Sequence, residues 1–330
     1  MEETKKHHLN EISKYKSRLC TQGYTQTNGP DYKKTFSPTG NLNSLRALIA
    51  HTVNNKLELH QIDIKSAFSN APLIETVYLT IPQGIRLHSQ KQCLRLNKVL
   101  YRLKKGPLSW YKTLKNLLSQ SGFTTCILDP CVFHKTKPNP IWLCLHVDEI
   151  AIFGKEVNRF QDEIRKEFNI KDIVLANLML GIKVNHQESG ISLDQQHFIK
   201  ALLEKYRMTP CTPVNTPLVP HCNLTPATEE EINTFKQLKI NFRSAIRSIN
   251  YLSSATRPDL SFAVSALSQH LEKPGTLHWR ACLHILKYLN GTQELGLVYE
   301  KSPNNCIEAY CDSDRGNCRV TRRLVTRYLA

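Results

Sequence analysis

The sequence predicts an α+β protein, and three patterns carry that prediction. Apolar, strand-like runs crowd residues 131–153. Stretches with apolar residues at helical spacing lie on either side, at 42–53, 109–120 and 157–168. A Pro/Thr-rich segment at 209–226 then separates this mixed part from one that is helical from about Phe242 to Leu289. Strands grouped together, with helices set beside them rather than in strict alternation, define this class. The 330 residues suffice for two domains or one large one, and 41% apolar with 22% charged residues suits a sizeable core.

Residues 1–40 are polar and basic, with Lys14, Lys16, Arg18, Lys33 and Lys34 interleaved with Tyr15, Tyr24, Tyr32 and Phe36. Such a mixture suits a surface that meets phosphates and stacks on bases. A merely solvated charged face would read the same way. Leu42, Leu45, Leu48, Ile49 and Val53 follow at helical spacing, with Asn41 as N-cap. A strand carrying Asp63 comes next. Val77, Leu79 and Ile81 alternate with polar neighbours as a half-buried strand that ends at Pro82. A helix spans 109–120, with Trp110, Leu114, Leu117 and Leu118 inward and Gly122 as its stop.

Three strands are expected within 131–153, the last two bending around Asp148-Glu149. Val157, Phe160, Ile164 and Phe168 mark an amphipathic helix. Residues 178–184 and 191–193 form a hairpin across a turn ending in Gly190, and Asp194 caps a helix bearing Phe198, Leu202 and Tyr206. In the second part, Pro258 and Pro274 break the helices, and short strands follow at 297–299 and 307–310. There is no internal repeat.

Lys plus Arg number 44 against 28 Asp plus Glu, a net charge of +16. That surplus points to a polyanionic partner, nucleic acid before a membrane surface, since no basic amphipathic helix or lipidation motif is present. The N-terminal residues lack an apolar h-region and no apolar run approaches a membrane span, so the expectation is a chain that is not secreted and resides in the cytoplasm or nucleus. The 11 Cys read as reduced thiols, and Cys306, Cys311 and Cys318 match no common zinc spacing. No Gly-x-Ser-x-Gly elbow, His-Glu-x-x-His or phosphate-loop signature supports a hydrolase.

Two acidic signatures carry the chemistry. Gln61-Ile62-Asp63-Ile64-Lys65-Ser66-Ala67-Phe68 and Leu145-His146-Val147-Asp148-Glu149-Ile150 each set carboxylates beside apolar strands. A carboxylate there is costly unless paired or bound to a cation. Brought together, the two would offer hard oxygen ligands to divalent metal, and two metals clamping the attacking and leaving oxygens is a design for nucleotidyl transfer. Turn-forming or solvated aspartates would give the same local pattern.

A series of short motifs surrounds these signatures. They run from Tyr15-Lys16-Ser17-Arg18-Leu19 and Gln22-Gly23-Tyr24-Thr25-Gln26, through Asp31-Tyr32 with Thr35-Phe36-Ser37-Pro38, to Leu100-Tyr101 with Leu103-Lys104, Pro107 and Trp110-Tyr111. Tyr251-Leu252, Thr256-Arg257-Pro258-Asp259, His278-Trp279 and Lys287-Tyr288-Leu289 with Gly291-Thr292 come later. In this order they resemble the reverse transcriptase region of copia-type LTR retrotransposon Pol polyproteins.

The resemblance implies a right-hand polymerase: fingers, a palm with a ferredoxin-like sheet, and a thumb. It divides the chain into fingers and palm at 1–208, the linker at 209–226, a helical thumb or connection region at 227–305, and the start of a ribonuclease H-like domain at 306–330. It implies that Asp63, Asp148 and Glu149 are the catalytic and metal-binding carboxylates for two Mg²⁺ ions, with Mn²⁺ as a substitute. Lys16 and Arg18 would hold the triphosphate of the incoming nucleotide, and Phe68 would exclude a ribose 2′-hydroxyl. Asp312 resembles the first metal ligand of ribonuclease H. The implied partners are an RNA or DNA template with its primer and deoxynucleoside triphosphates, and no membrane.

The sequence departs from the family pattern at defined places. His146-Val147-Asp148-Glu149 stands where Tyr-Val-Asp-Asp is usual, and the extra methylene of Glu149 moves its carboxylate by about 1.5 Å. Arg102 and Arg247 replace usual glycines, an expected strain wherever the backbone needs positive φ. The resemblance leads one to expect further family strands before Tyr15 and further ribonuclease H carboxylates beyond Asp312, so the sequence reads as a fragment of a longer polyprotein. Two functions are therefore expected: an RNA-directed DNA polymerase, or an inactive remnant that binds nucleic acid through charge alone.

Overall fold

A computed structural model describes residues 2–6, 12–17, 19–82, 84, 93–137, 139–171, 174–220, 222–302, 308–314 and 325–329, with the backbone alone for 2–6, 12–17, 312–314 and 325–329. Mixed helix and sheet place the protein in the α+β class. The chain divides into two compact units, Met1–Ala176 and Asn177–Ala330.

The first unit contains β1 (Glu2–Lys6), β2 (Ile12–Ser17), α1 (Leu42–Asn55), β3 (Glu58–Asp63), α2 (Ala67–Asn70), β4 (Tyr78–Thr80), β5 (Cys93–Arg95) and α3 (Gly106–Gln120). It continues with β6 (Thr124–Thr125), β7 (Val132–Lys135), β8 (Ile141–His146), β9 (Glu149–Gly154), α4 (Val157–Glu167) and β10 (Val174–Leu175). Six strands form one antiparallel sheet in the order β10-β3-β9-β8-β7-β6.

Strand side chains alternate between faces, and the burial follows suit. One face carries Ile62, Ile64, Leu143, Leu145, Ile150 and Ile152, packed with Trp110, Leu114 and Leu118 of α3 and Val157, Phe160 and Ile164 of α4. The other face carries Leu59, Cys144 and Phe153, and α1 packs on the strands there, with the His51 and Trp142 rings edge-on at 4.6 Å. The α1 helix begins where its N-cap predicts: the Asn41 side chain accepts from the Asn43 N–H at 2.9 Å. The α3 helix begins earlier than 109, because Pro107 suits a first turn that needs no N–H partner.

The second unit contains β11 (Leu178–Met179), β12 (Ile182–His186), β13 (Gly190–Asp194), α5 (Gln196–Lys205), α6 (Glu229–Gln237), α7 (Phe242–Ala255), α8 (Ser261–Ser268), α9 (Thr276–Gly291), β14 (Leu297–Glu300), β15 (Tyr310–Asp314) and β16 (Val325–Leu329). Its four-stranded sheet runs β11-β12-β13-β14, and β15 pairs with β16. Buried residues of α5, α6, α7, α8 and α9 make a separate core around Ile249, Leu252, Leu267 and Ile285.

Two expectations change here. Residues 178–184 are not one strand but two short ones. Leu180 at φ 53° and Gly181 at φ 73° put positive φ at both turn positions, as a tight hairpin requires. The helix α6 begins ahead of Phe242, where the apolar spacing starts the helical part, though inside the region 227–305 that the resemblance makes helical, and a capping box starts it. Thr228 accepts from Glu231 N–H, while the Glu231 carboxylate accepts from Thr228 N–H. Ile307, Cys306 and Cys318 lie outside the described residues.

The Thr256-Arg257-Pro258-Asp259 segment forms a structural knot. The Arg257 guanidinium, 1% exposed, donates to both Asp259 carboxylate oxygens, to the Thr292 carbonyl at 2.7 Å and to the Thr292 hydroxyl at 2.8 Å. Tyr288 adds its hydroxyl to Asp259 at 2.9 Å, and its ring lies under the Arg257 cation. A buried charge this well paired holds α9 against the turn before α8, and losing one partner would leave it uncompensated.

A second anchor is His278, which is fully buried. Its Nδ1 accepts from Gly275 N–H at 3.0 Å, so its Nε2 is the donor to the Thr225 carbonyl at 3.0 Å. Burial, and then His270 stacked on it at 4.0 Å, push its pKa below the usual 6.5, against the opposing pull of Thr225 and Glu231. The native state therefore favours neutral His278. Its stability is complete above the unfolded value and is lost as pH falls from there through the lowered folded value. Urea midpoints should decline below about pH 6.5, and His278→Asn should flatten that slope while lowering stability at neutral pH.

Candidate active site on the β8–β9 hairpin

Sheet register brings the candidate carboxylates together. β3 and β9 pair from Glu58 opposite Gly154 to Asp63 opposite Glu149, and β8 returns with His146 opposite Glu149. Residues directly opposite share a face. Asp63, Glu149 and His146 thus form one row, on the same face as Leu59 and Phe153 but at the end where side chains are only half-buried. The expected bend at Asp148-Glu149 is shifted by one residue: the turn is Val147-Asp148, and Glu149 opens β9. That shift sets Glu149 opposite Asp63 rather than beside Asp148 at the tip.

The tip is held under strain. Val147 adopts φ 58°, a left-handed conformation that is an outlier for a β-branched residue and costs on the order of 1–3 kcal/mol. Two contacts fix it. Trp110 Nε1 donates to the Val147 carbonyl at 2.6 Å, from an indole that is itself 2% exposed and edge-on to Phe168. Ile64 N–H donates to the Asp148 carbonyl at 2.9 Å, tying the tip to the end of β3.

A third strand-like segment completes the surroundings. Lys65 N–H donates to the Asn169 carbonyl at 2.9 Å, Lys171 N–H donates to the Asp63 carbonyl at 3.0 Å, and Ile64 bridges Ile170. The Lys171 ammonium is ion-paired with the Asp63 carboxylate. Among the described residues, the buried His146 Nδ1 has no hydrogen-bond partner. Among the described residues no group of three or more His, Cys, Asp or Glu forms a ready-made metal cage. The nearby thiols of Cys131 and Cys144 are pushed up to about 12 by burial and then by Asp129, so they are not nucleophiles.

The N-terminal motifs gather around residues 101–104. Thr21 N–H and hydroxyl both donate to the Tyr101 carbonyl, at 3.0 and 3.1 Å. The Gln26 side chain accepts from Lys104 N–H at 2.9 Å, and the Lys104 ammonium donates to the Tyr32 hydroxyl at 3.1 Å. Gly23 lies against the Arg102 carbonyl, where any Cβ would collide with it. Arg102 has φ 70°, so this arginine occupies a backbone conformation that favours glycine. Arg247, the other arginine at a usual glycine, is exposed within helix α7, where φ is unstrained.

Phe68, in α2, is half-buried and edge-on to Tyr101 at 5.2 Å. Tyr24, Lys33, Lys34 and Phe36 are exposed, as a surface mixing cations with aromatic rings requires. Lys16 lies in β2 opposite Glu3, and Asp312 in β15 opposite Arg327. Arg18 lies outside the described residues. Sequence reasoning did not single out Lys171, and it read Trp110 as an inward helix position and part of a family motif without its bond to the Val147 carbonyl; both act through contacts distant in sequence. No helix among the described residues is long and apolar enough to cross a membrane.

Comparison with known proteins bears on this geometry. Residues 2–220 match the family model described as reverse transcriptase (RNA-dependent DNA polymerase). The chain is 33% identical, over 96% of its length, to the retrovirus-related Pol polyprotein from transposon TNT 1-94 of Nicotiana tabacum, of which it covers 25%. It is 32% identical, over 92% of its length, to the corresponding polyprotein from transposon RE1 of Arabidopsis thaliana, of which it covers 21%. A putative transposon Ty5-1 protein of Saccharomyces cerevisiae is 26% identical over 77% of the chain, which covers 83% of that protein. The chain thus spans a quarter or less of the two plant Pol polyproteins.

The geometry of the hairpin tip is testable apart from any activity. Trp110→Phe keeps most of the packing but leaves the Val147 carbonyl without its donor. It should cost about 1–3 kcal/mol in urea unfolding and increase hydrogen exchange of the Ile64 and Glu149 amides.

Proposed function

The chain belongs to the reverse transcriptase (RNA-dependent DNA polymerase) family, and from that premise we propose that it catalyses RNA-directed DNA synthesis by two-metal nucleotidyl transfer. One observation carries the reading: Asp63 stands directly opposite Glu149, with Asp148 in the adjoining turn. Two carboxylates facing each other at the open end of one sheet face, with a third residue of that type in the adjoining turn, suit a hard divalent cation. Mg²⁺ usually takes one or two protein carboxylates and completes its shell with water and substrate phosphates, so an all-protein cage is not required. Asp63, Asp148 and Glu149 would hold the ions, Mg²⁺ or its substitute Mn²⁺. When bound, these would activate a primer 3′-hydroxyl and neutralise departing pyrophosphate.

The remaining parts follow from the same reading. The strained, Trp110-anchored turn keeps Asp148 rigid, as a site that must place charge to a fraction of an ångström demands. Lys16 and Arg18 serve the nucleotide triphosphate, and Phe68 limits room for a 2′-hydroxyl. The exposed Tyr24, Lys33, Lys34 and Phe36 suit contact with the template strand, and the net charge of +16 suits a template–primer duplex. In this division, 1–208 are fingers and palm with a ferredoxin-like palm sheet. Residues 209–226 are a linker, 227–305 a thumb or connection region, and 306–330, with Asp312, the beginning of a ribonuclease H-like domain.

Glu149 and the strained Arg102 favour a second reading, an inactive relative that binds nucleic acid by charge alone. Primer extension on an RNA template with an annealed DNA primer, in Mg²⁺ and in Mn²⁺, separates the two. The polymerase reading predicts template-dependent extension, reduced at least about a hundredfold by Asp63→Ala and raised by Glu149→Asp. Absence of extension by all forms, with salt-dependent binding of the hybrid intact, would leave only the second reading.

A further inference from the structure

The Asp63 carboxylate has a partner within the chain, since the Lys171 ammonium is paired with it. We propose that Lys171 is a positioning residue that holds Asp63 until a divalent cation displaces it, and so sets the cation concentration at which the site fills. This rests on the reading of Asp63 as a metal ligand.

The need for such a residue comes from register. Asp63 and Glu149 face each other across paired strands, and like charges directly opposite destabilise a sheet. The Lys171 ammonium, on the edge of β3 away from β9, offsets the Asp63 share of that repulsion. The ability to leave comes from the backbone. Lys171 is fixed by its N–H bond to the Asp63 carbonyl, by the Ile64–Ile170 bridge and by the Lys65–Asn169 bond. None of these uses its side chain. The ammonium sits on a flexible stem, 58% exposed beside an Asp63 side chain that is 33% exposed. It can swing into water while the chain stays in place. The ammonium holds Oδ2, so a cation that takes that oxygen, alone or bidentate with Oδ1, competes with the lysine for it.

The test is binding of Mn²⁺ itself to the full chain, without nucleic acid or nucleotide, followed by electron paramagnetic resonance. Lys171→Met and Lys171→Gln should bind Mn²⁺ roughly two- to fivefold more tightly, the range expected for losing a half-exposed ion pair. Lys171→Arg should stay near wild type, and urea midpoints should change little in all three. A purely structural lysine would show the reverse, shifting stability while leaving Mn²⁺ affinity alone. Unchanged or weaker Mn²⁺ binding by Lys171→Met and Lys171→Gln overturns the proposal. Asp63→Ala separates the two levels of the reading. If it abolishes Mn²⁺ binding and the lysine variants change nothing, only the role of Lys171 falls. If it leaves Mn²⁺ binding unaltered, the metal-site reading falls and the proposal with it.

Discussion

The antiparallel register of β3, β9 and β8 is the constraint on which the site depends. Side chains alternate with a period of two, so a slip by one residue would turn Asp63 or Glu149 to the opposite face. That face is filled by Ile62, Ile64, Ile150 and Leu145, packed on α3 and α4. A carboxylate there would be desolvated without a partner, at a cost of several kcal/mol. The apolar core therefore does more than stabilise the first unit. It forbids the one-residue slips that would turn either carboxylate into the core, and so keeps both on the other face.

Strain and support are concentrated at the same end. Val147 takes a backbone conformation that few β-branched residues adopt, and Trp110 holds its carbonyl from a buried position. Such strain persists only where surrounding structure over-determines it, and it gathers at functional sites. The residues around 101–104 show the same economy of space. Gly23 allows the Arg102 carbonyl to approach closely, and Thr21 and Gln26 tie the two segments together. Several motifs that mark the family are thus packing and hydrogen-bonding devices. The Arg257–Asp259–Tyr288–Thr292 knot in the second unit is another.

Much of this was legible locally. Asn41 announces α1, Gly122 the stop of α3, and the spacing of Val157, Phe160 and Ile164 the buried stripe of α4. Asp63 and Asp148 stood out because carboxylates beside apolar strands need a reason. What was not legible is non-local. The side of the turn on which Glu149 falls depends on pairing with β3, not on the hairpin sequence alone. The Lys171–Asp63 pair joins residues far apart in the chain. Two misses were avoidable: Thr228-x-x-Glu231 is a capping box that marks α6, and Gly181 marks the turn that divides residues 178–184. The positive φ at Arg102 is visible only against the usual glycine.

The most direct test of the central claim is to replace Mg²⁺ with Fe²⁺ and map where ascorbate and peroxide cut the backbone. Hydroxyl radicals formed at a bound iron cleave only the chain segments beside it. If register unites the two acidic signatures at one cation site, cuts will cluster at residues near Asp63 and again near Val147–Glu149, and both sets will vanish together in Asp63→Ala. Cuts at one segment without the other, or a pattern indifferent to Asp63→Ala, would contradict it.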